Sequence, residues 1–119
     1  MIITLCGSTR FEKGYHYWNE RLSLEGNIVI SLSVFPSQKE TREWYTPEIK
    51  QRLDAIHIKK ITLSDIIFVI DCEGLVNLDK YIGESTQREI DFAKAINMTV
   101  VYASQIFMSR PSITLQEAT

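Results

Sequence analysis

The run Asp65-Ile66-Ile67-Phe68-Val69-Ile70-Asp71 places five large apolar residues in succession between two aspartates. Neighbouring side chains of a strand point to opposite faces, so an unbroken apolar run must be covered on both sides. Such a segment suits the middle of a parallel sheet with helices above and below it, and it fits poorly in a hairpin sheet with one wet face. The rest of the chain supplies the partners. Ile2 to Cys6 reads as a second buried strand that stops at Gly7-Ser8-Thr9. Phe11, Tyr15, Trp18, Leu22 and Leu24 then recur at roughly helical spacing up to Gly26-Asn27, a stop signal. Ile28 to Phe35 is rich in β-branched residues and predicts a strand cut off by Pro36. The polar stretch Ser37 to Tyr45 has the character of a lid or binding loop, with Trp44 and Tyr45 placed to cover a ligand.

Thr46-Pro47 marks the start of a helix with an apolar stripe of Ile49, Leu53, Ile56 and Leu63. A long polar loop, Cys72 to Glu84, leads to a third helix near Thr86, and Met98 to Ala103 predicts a fourth strand. From Ser104 the tail reads either as a small added element or as a segment lying on a partner. Alternating strands and helices imply an α/β domain with a mostly parallel sheet of four to five strands and helices on both faces.

At 119 residues the chain has the length of one domain, and 45% apolar content suits a folded core. Thirteen basic against fifteen acidic residues leave a net charge of −2 with no basic run, which argues against a nucleic-acid polymer as partner. No apolar run approaches the ~20 residues of a membrane span, and the first residues enter a strand pattern without a basic leader, so a cytoplasmic location is expected. Cys6 and Cys72 are expected to be reduced thiols.

In parallel sheets ligands bind beyond the carboxyl ends of the strands, where the strand order reverses. That edge receives Gly7-Ser8-Thr9-Arg10, the loop from Val34, the loop from Asp71 and the start of the third helix. Two of these segments, Gly7-Ser8-Thr9-Arg10 and Gly83-Glu84-Ser85-Thr86, bring hydroxyls and free N–H groups to a helix start, a setting for an anion or a sugar. The competing reading of the first is a tight turn capped by Ser8 or Thr9. Asp71 ends an apolar strand and either points into the crevice or caps the turn that follows. Glu89 lies on the face expected to cover the sheet, aligned with Phe92, Ala93 and Ile96. It is either a functional carboxylate or the acid of a Thr86-Gln87-Arg88-Glu89 capping box. His57, between two isoleucines on the second helix, reads as a partly exposed histidine, structural before catalytic, with catalysis as the alternative. Phe11 and Tyr15 read as core, with stacking on a base as the alternative.

The order Leu5-Cys6-Gly7-Ser8-Thr9-Arg10, then Ser64 to Asp71, then Gly83 to Ala93 resembles the nucleoside 2-deoxyribosyltransferase-like superfamily over about residues 1 to 103. That group includes deoxyribosyltransferases and 2′-deoxynucleoside 5′-monophosphate N-glycosidases. The resemblance implies a flavodoxin-like three-layer sandwich formed as a single domain over residues 1–119, a homodimer or higher homo-oligomer, and no cofactor or metal. It puts the family's nucleophilic carboxylate on Glu89 and its base- or sugar-contacting Asp on Asp71. Gly7, Ser8, Thr9, Arg10, Gly83, Ser85 and Thr86 then become substrate-binding positions. Asp91-Phe92 stands where Gly-Tyr is usual, and Arg88 adjoins the nucleophile as a candidate phosphate ligand. The activity implied is cleavage or transfer of the N-glycosidic bond of a 2′-deoxynucleoside or its 5′-monophosphate. The alternative is a non-catalytic nucleotide-binding module using the same two helix starts.

Overall fold

β3 (Ile66–Ile70) is buried along its whole length and lies between two parallel neighbours, β1 (Ile2–Gly7) and β4 (Thr99–Tyr102). The computed structural model describes residues 1–35, 43–74 and 77–109. A short edge strand, β2 (Ile28–Ile30), completes the four-stranded sheet in the order β2-β1-β3-β4, with all three pairings parallel. The helices are α1 (Glu12–Leu24), α2 (Pro47–Thr62), α3 (Glu84–Ala95) and α4 (Ala103–Ser109).

Strand periodicity divides the core in two. Ile3 and Leu5 of β1 and Ile66, Phe68 and Ile70 of β3 meet Tyr15, Trp18 and Leu22 of α1 and Ala103, Ile106 and Phe107 of α4. Residues of the opposite parity, Cys6, Ile67 and Val69, meet Ile61 of α2 and Ile90 and Ala93 of α3. Helices therefore cover both faces, which makes the fold a flavodoxin-like three-layer sandwich. β2 and β3 flank β1 on opposite sides, so the strand order reverses between β1 and β3 and opens a crevice beyond their carboxyl ends.

Several expectations change. The strand expected over Ile28 to Phe35 pairs only through Ile30. Beyond it the chain turns toward α2, where Lys60 Nζ donates to Ser31 O at 2.8 Å and to Ser33 Oγ at 2.7 Å. The buried stripe of α2 is His57 and Ile61, whereas Leu63 is 67% exposed and Ile56 also faces outward. α3 begins at Glu84 behind an extended Gly83, with Gln87 N donating to Gly83 O, so Thr86 lies inside the first turn. Its covered face is Thr86, Glu89, Ile90 and Ala93, and Ile96 falls beyond the helix, half exposed. The tail from Ser104 opens as part of α4, packed on Trp18. Residues 37–42 of the expected lid, residues 75 and 76 of the expected polar loop, and the tail beyond 109 lie outside the described residues.

Candidate active site

Gly7 closes β1 at φ +145°, and a Cβ there would stand 2.5 Å from Ile70 O of the paired strand. Only glycine lets the chain turn so near β3. Ser8 then caps a 3₁₀ turn, Thr9–Phe11, by accepting from Arg10 N. Tyr15, one turn into α1, donates to Gly7 O at 2.8 Å and pins the loop from below. Its ring is buried, and Phe11 is buried at the edge of Tyr81, so neither offers a free face for a base.

Across the crevice stands α3. Because the helix starts at Glu84, Glu89 sits in its second turn, beyond reach of the capping position. The capping-box reading is thereby excluded. Glu89 is 8% exposed and lies on the wall of a crevice of about 360 Å³ with Gly7, Ser8, Thr9, Lys50, Asp54, Tyr81, Gly83, Ser85, Thr86 and Arg88. A smaller chamber of about 70 Å³ opens from the same carboxylate, between Thr9, Leu32, Tyr45, Leu53, His57 and Lys60. The larger space is within the usual range for a small-molecule site, roughly 300–1,000 Å³.

The electrostatics are uneven. Burial, followed by the charge of Asp54, pushes the Glu89 carboxyl up to about 7, while the neighbouring Cys6 thiol and the charges of Lys50 and Arg88 act the other way. At neutral pH the group is poised between its two states. Behind it, Cys6, His57 and Glu89 form a buried cluster in which one polar atom from each lies within 4.8 Å of the others. His57 is 3% exposed, not partly exposed as expected, because the α2 stripe turns it onto β1. Burial, and next the charge of Lys60, bring its imidazole down to about 4. Its Nε2 lies 2.9 Å from Leu5 O, a pure acceptor, so Nε2 carries the proton. Nδ1 is buried without a hydrogen-bond partner among the described residues.

At the crevice mouth, cations gather on one hydroxyl. Ser85 Oγ accepts from Lys50 Nζ at 3.0 Å and from Arg88 at 3.3 Å, at the amino end of α3. Lys50 is also paired with Asp54 at 2.8 Å. Arg10 lies over the Tyr81 ring, 3.6 Å from its centroid, and reaches the crevice wall through that ring.

Seven of the nine residues expected at the site, Gly7, Ser8, Thr9, Gly83, Ser85, Thr86 and Glu89, border this crevice, and Arg10 adjoins it. Asp71 is placed differently. It is 2% exposed, its Oδ1 accepts from Ser104 N at 2.9 Å and its Oδ2 from Ser104 Oγ at 2.6 Å. Its carboxylate thus caps the start of α4, and the other carboxylates bordering the crevice are Asp54 and Glu84. Sequence reasoning overlooked Asp54, Lys50 and Cys6. The helical spacing Lys50, Asp54, His57, Ile61 was the available signal, since it sets a polar strip in line with one buried aliphatic. Trp44 is half exposed and edge-on to Tyr45, and of these two rings it is that of Tyr45 that borders both cavities. Both cysteines are free and buried, and among the described residues no helix is long and apolar enough to cross a membrane. Comparison with protein-family models, curated proteins and solved structures finds no match to the chain.

Proposed function

We propose that the crevice cleaves the N-glycosidic bond of a 2′-deoxynucleoside 5′-monophosphate, with Glu89 as nucleophile. The observation that carries this reading is a nearly buried carboxylate, free of capping duty, on the wall of a cavity of nucleoside size. As the C1′–N bond breaks, its electron pair leaves with the base, which takes a proton from water, and positive charge builds on the sugar. The ionised Glu89 stabilises that charge and closes on C1′ as an ester. Water then attacks C1′, restoring the carboxylate and releasing a proton. Asp54, held by Lys50, orients that water. Transfer replaces hydrolysis where a second base takes the water's place.

The monophosphate is favoured by the convergence of Lys50 and Arg88 on Ser85 at the amino end of a twelve-residue helix. Two cations and free N–H groups suit a dianion better than a sugar hydroxyl. Tyr45 and Leu32, which border both cavities, provide apolar surface for the base. The test is release of free base from a panel of 2′-deoxynucleosides and their 5′-monophosphates, separated by chromatography. Release from the monophosphates ahead of the nucleosides is expected. Binding of nucleotides with no base released from any of them would make the protein a nucleotide-binding module instead.

A further inference from the structure

Cys6 belongs to the parity of β1 that faces α2 and α3, so its thiol enters the gap between His57 and Glu89. His57 Nε2–H is directed mainly at Leu5 O, with Cys6 Sγ a further 3.7 Å neighbour on the same side. A sulfur approached by an N–H is best placed to turn its own hydrogen elsewhere. The nearby acceptor is the Glu89 carboxylate, which with the sulfur and the imidazole lies inside a 4.8 Å cluster, and a thiol hydrogen turned toward it favours the ionised acid while holding the thiol protonated.

We infer that Cys6 is a positioning residue for Glu89: its thiol, held from behind by His57, directs its hydrogen at the carboxylate and sets the charge and orientation of Glu89. The inference deepens the glycosidase reading and rests on it for its meaning in catalysis. Other ionisable groups around the carboxylate come from each neighbouring element: Lys50, Asp54 and Lys60 on α2, Tyr45 before it, Arg88 on α3 and Tyr15 on α1. All of them persist when Cys6 alone is changed. A comparison of Cys6 variants therefore isolates the thiol. Cys6→Ala removes the donor, whereas Cys6→Ser keeps a donor of similar size.

The experiment is a titration of the Glu89 side-chain carboxyl by carbon-13 NMR, without substrate, in the wild type and both variants. The expected result is a midpoint near 7 in the wild type, an upward shift in Cys6→Ala, and no upward shift in Cys6→Ser. A midpoint unchanged in Cys6→Ala, or raised equally by Ala and Ser, would overturn the inference, since a packing role does not distinguish the two in that sense. Should a variant fail to fold, the wild type supplies its own readout. Of its two S–H stretching bands in the infrared, one is expected to move to lower frequency as Glu89 ionises, and two bands indifferent to that ionisation would also overturn the inference. Because no substrate enters either measurement, both remain decisive if no base is ever released.

Discussion

Glu89 and His57 are buried ionisable groups displaced in opposite senses over nearly the same pH range. Between the ordinary carboxyl value of 4.5 and about 7, the folded protein keeps a Glu89 proton that the unfolded chain releases, so this group lowers stability as pH rises. Between about 4 and the ordinary imidazole value of 6.5, the unfolded chain binds a His57 proton that the folded protein refuses, so stability rises with pH. At about 1.4 kcal/mol per tenfold change in proton affinity, each effect is on the order of 3 kcal/mol, and over the shared range the two oppose each other. Glu89→Gln removes one of them. The stability of Glu89→Gln relative to wild type, from urea unfolding at a series of pH values, is expected to rise by about 3 kcal/mol between pH 4.5 and 8. A constant difference across that range would mean that Glu89 is not buried as an acid.

Element ends account for the structural role of one acid. α4 begins against the end of β3, and Asp71 satisfies a backbone N–H and a hydroxyl of Ser104 there. Asp71→Ala leaves both donors buried without that partner, at a cost of about 2–3 kcal/mol. Thermal melts are expected to register that loss while base release per folded molecule stays within a few-fold of wild type. A large loss of rate with an unchanged melt would return Asp71 to the chemistry. α2 meets α3 where Lys50 donates to Ser85, a hydroxyl that Arg88 of α3 also reaches. Arg88→Ala is expected to raise KM for a monophosphate at least about tenfold, the scale of one lost charge-assisted hydrogen bond, and to leave KM for the nucleoside nearly unchanged. An equal effect on both substrates would place the phosphate elsewhere. The lengths of elements were harder to read than their kind. Ile28 to Phe35 has strand composition, yet an edge strand is held on one side only, and the bonds from Lys60 draw Ser31 and Ser33 away from the ladder.

At the scale of the molecule, the sheet and its layers were legible because β3 carries apolar residues on both parities and the other segments alternate around it. The crevice followed from topology, since the strand order reverses at β1 and β3. The inner partners of Glu89 were not legible. Cys6 and His57 come together behind it only once strand parity and packing are fixed jointly with helix rotation, and a histidine between two isoleucines gives by itself no sign of which of the three faces the core. What the assembled molecule offers is a nearly buried carboxylate in a crevice, its ionisation restrained by burial and Asp54 and aided by Cys6, Lys50 and Arg88. The most direct measurement is single-turnover release of base from a 2′-deoxynucleoside 5′-monophosphate by wild type and Glu89→Gln, with nucleotide affinity measured on the same samples. The account expects a loss of roughly a thousandfold or more in rate, with the melt not lowered and affinity within a few-fold, because an amide neither stabilises the sugar cation nor forms the ester. Equal release by the two proteins would contradict it.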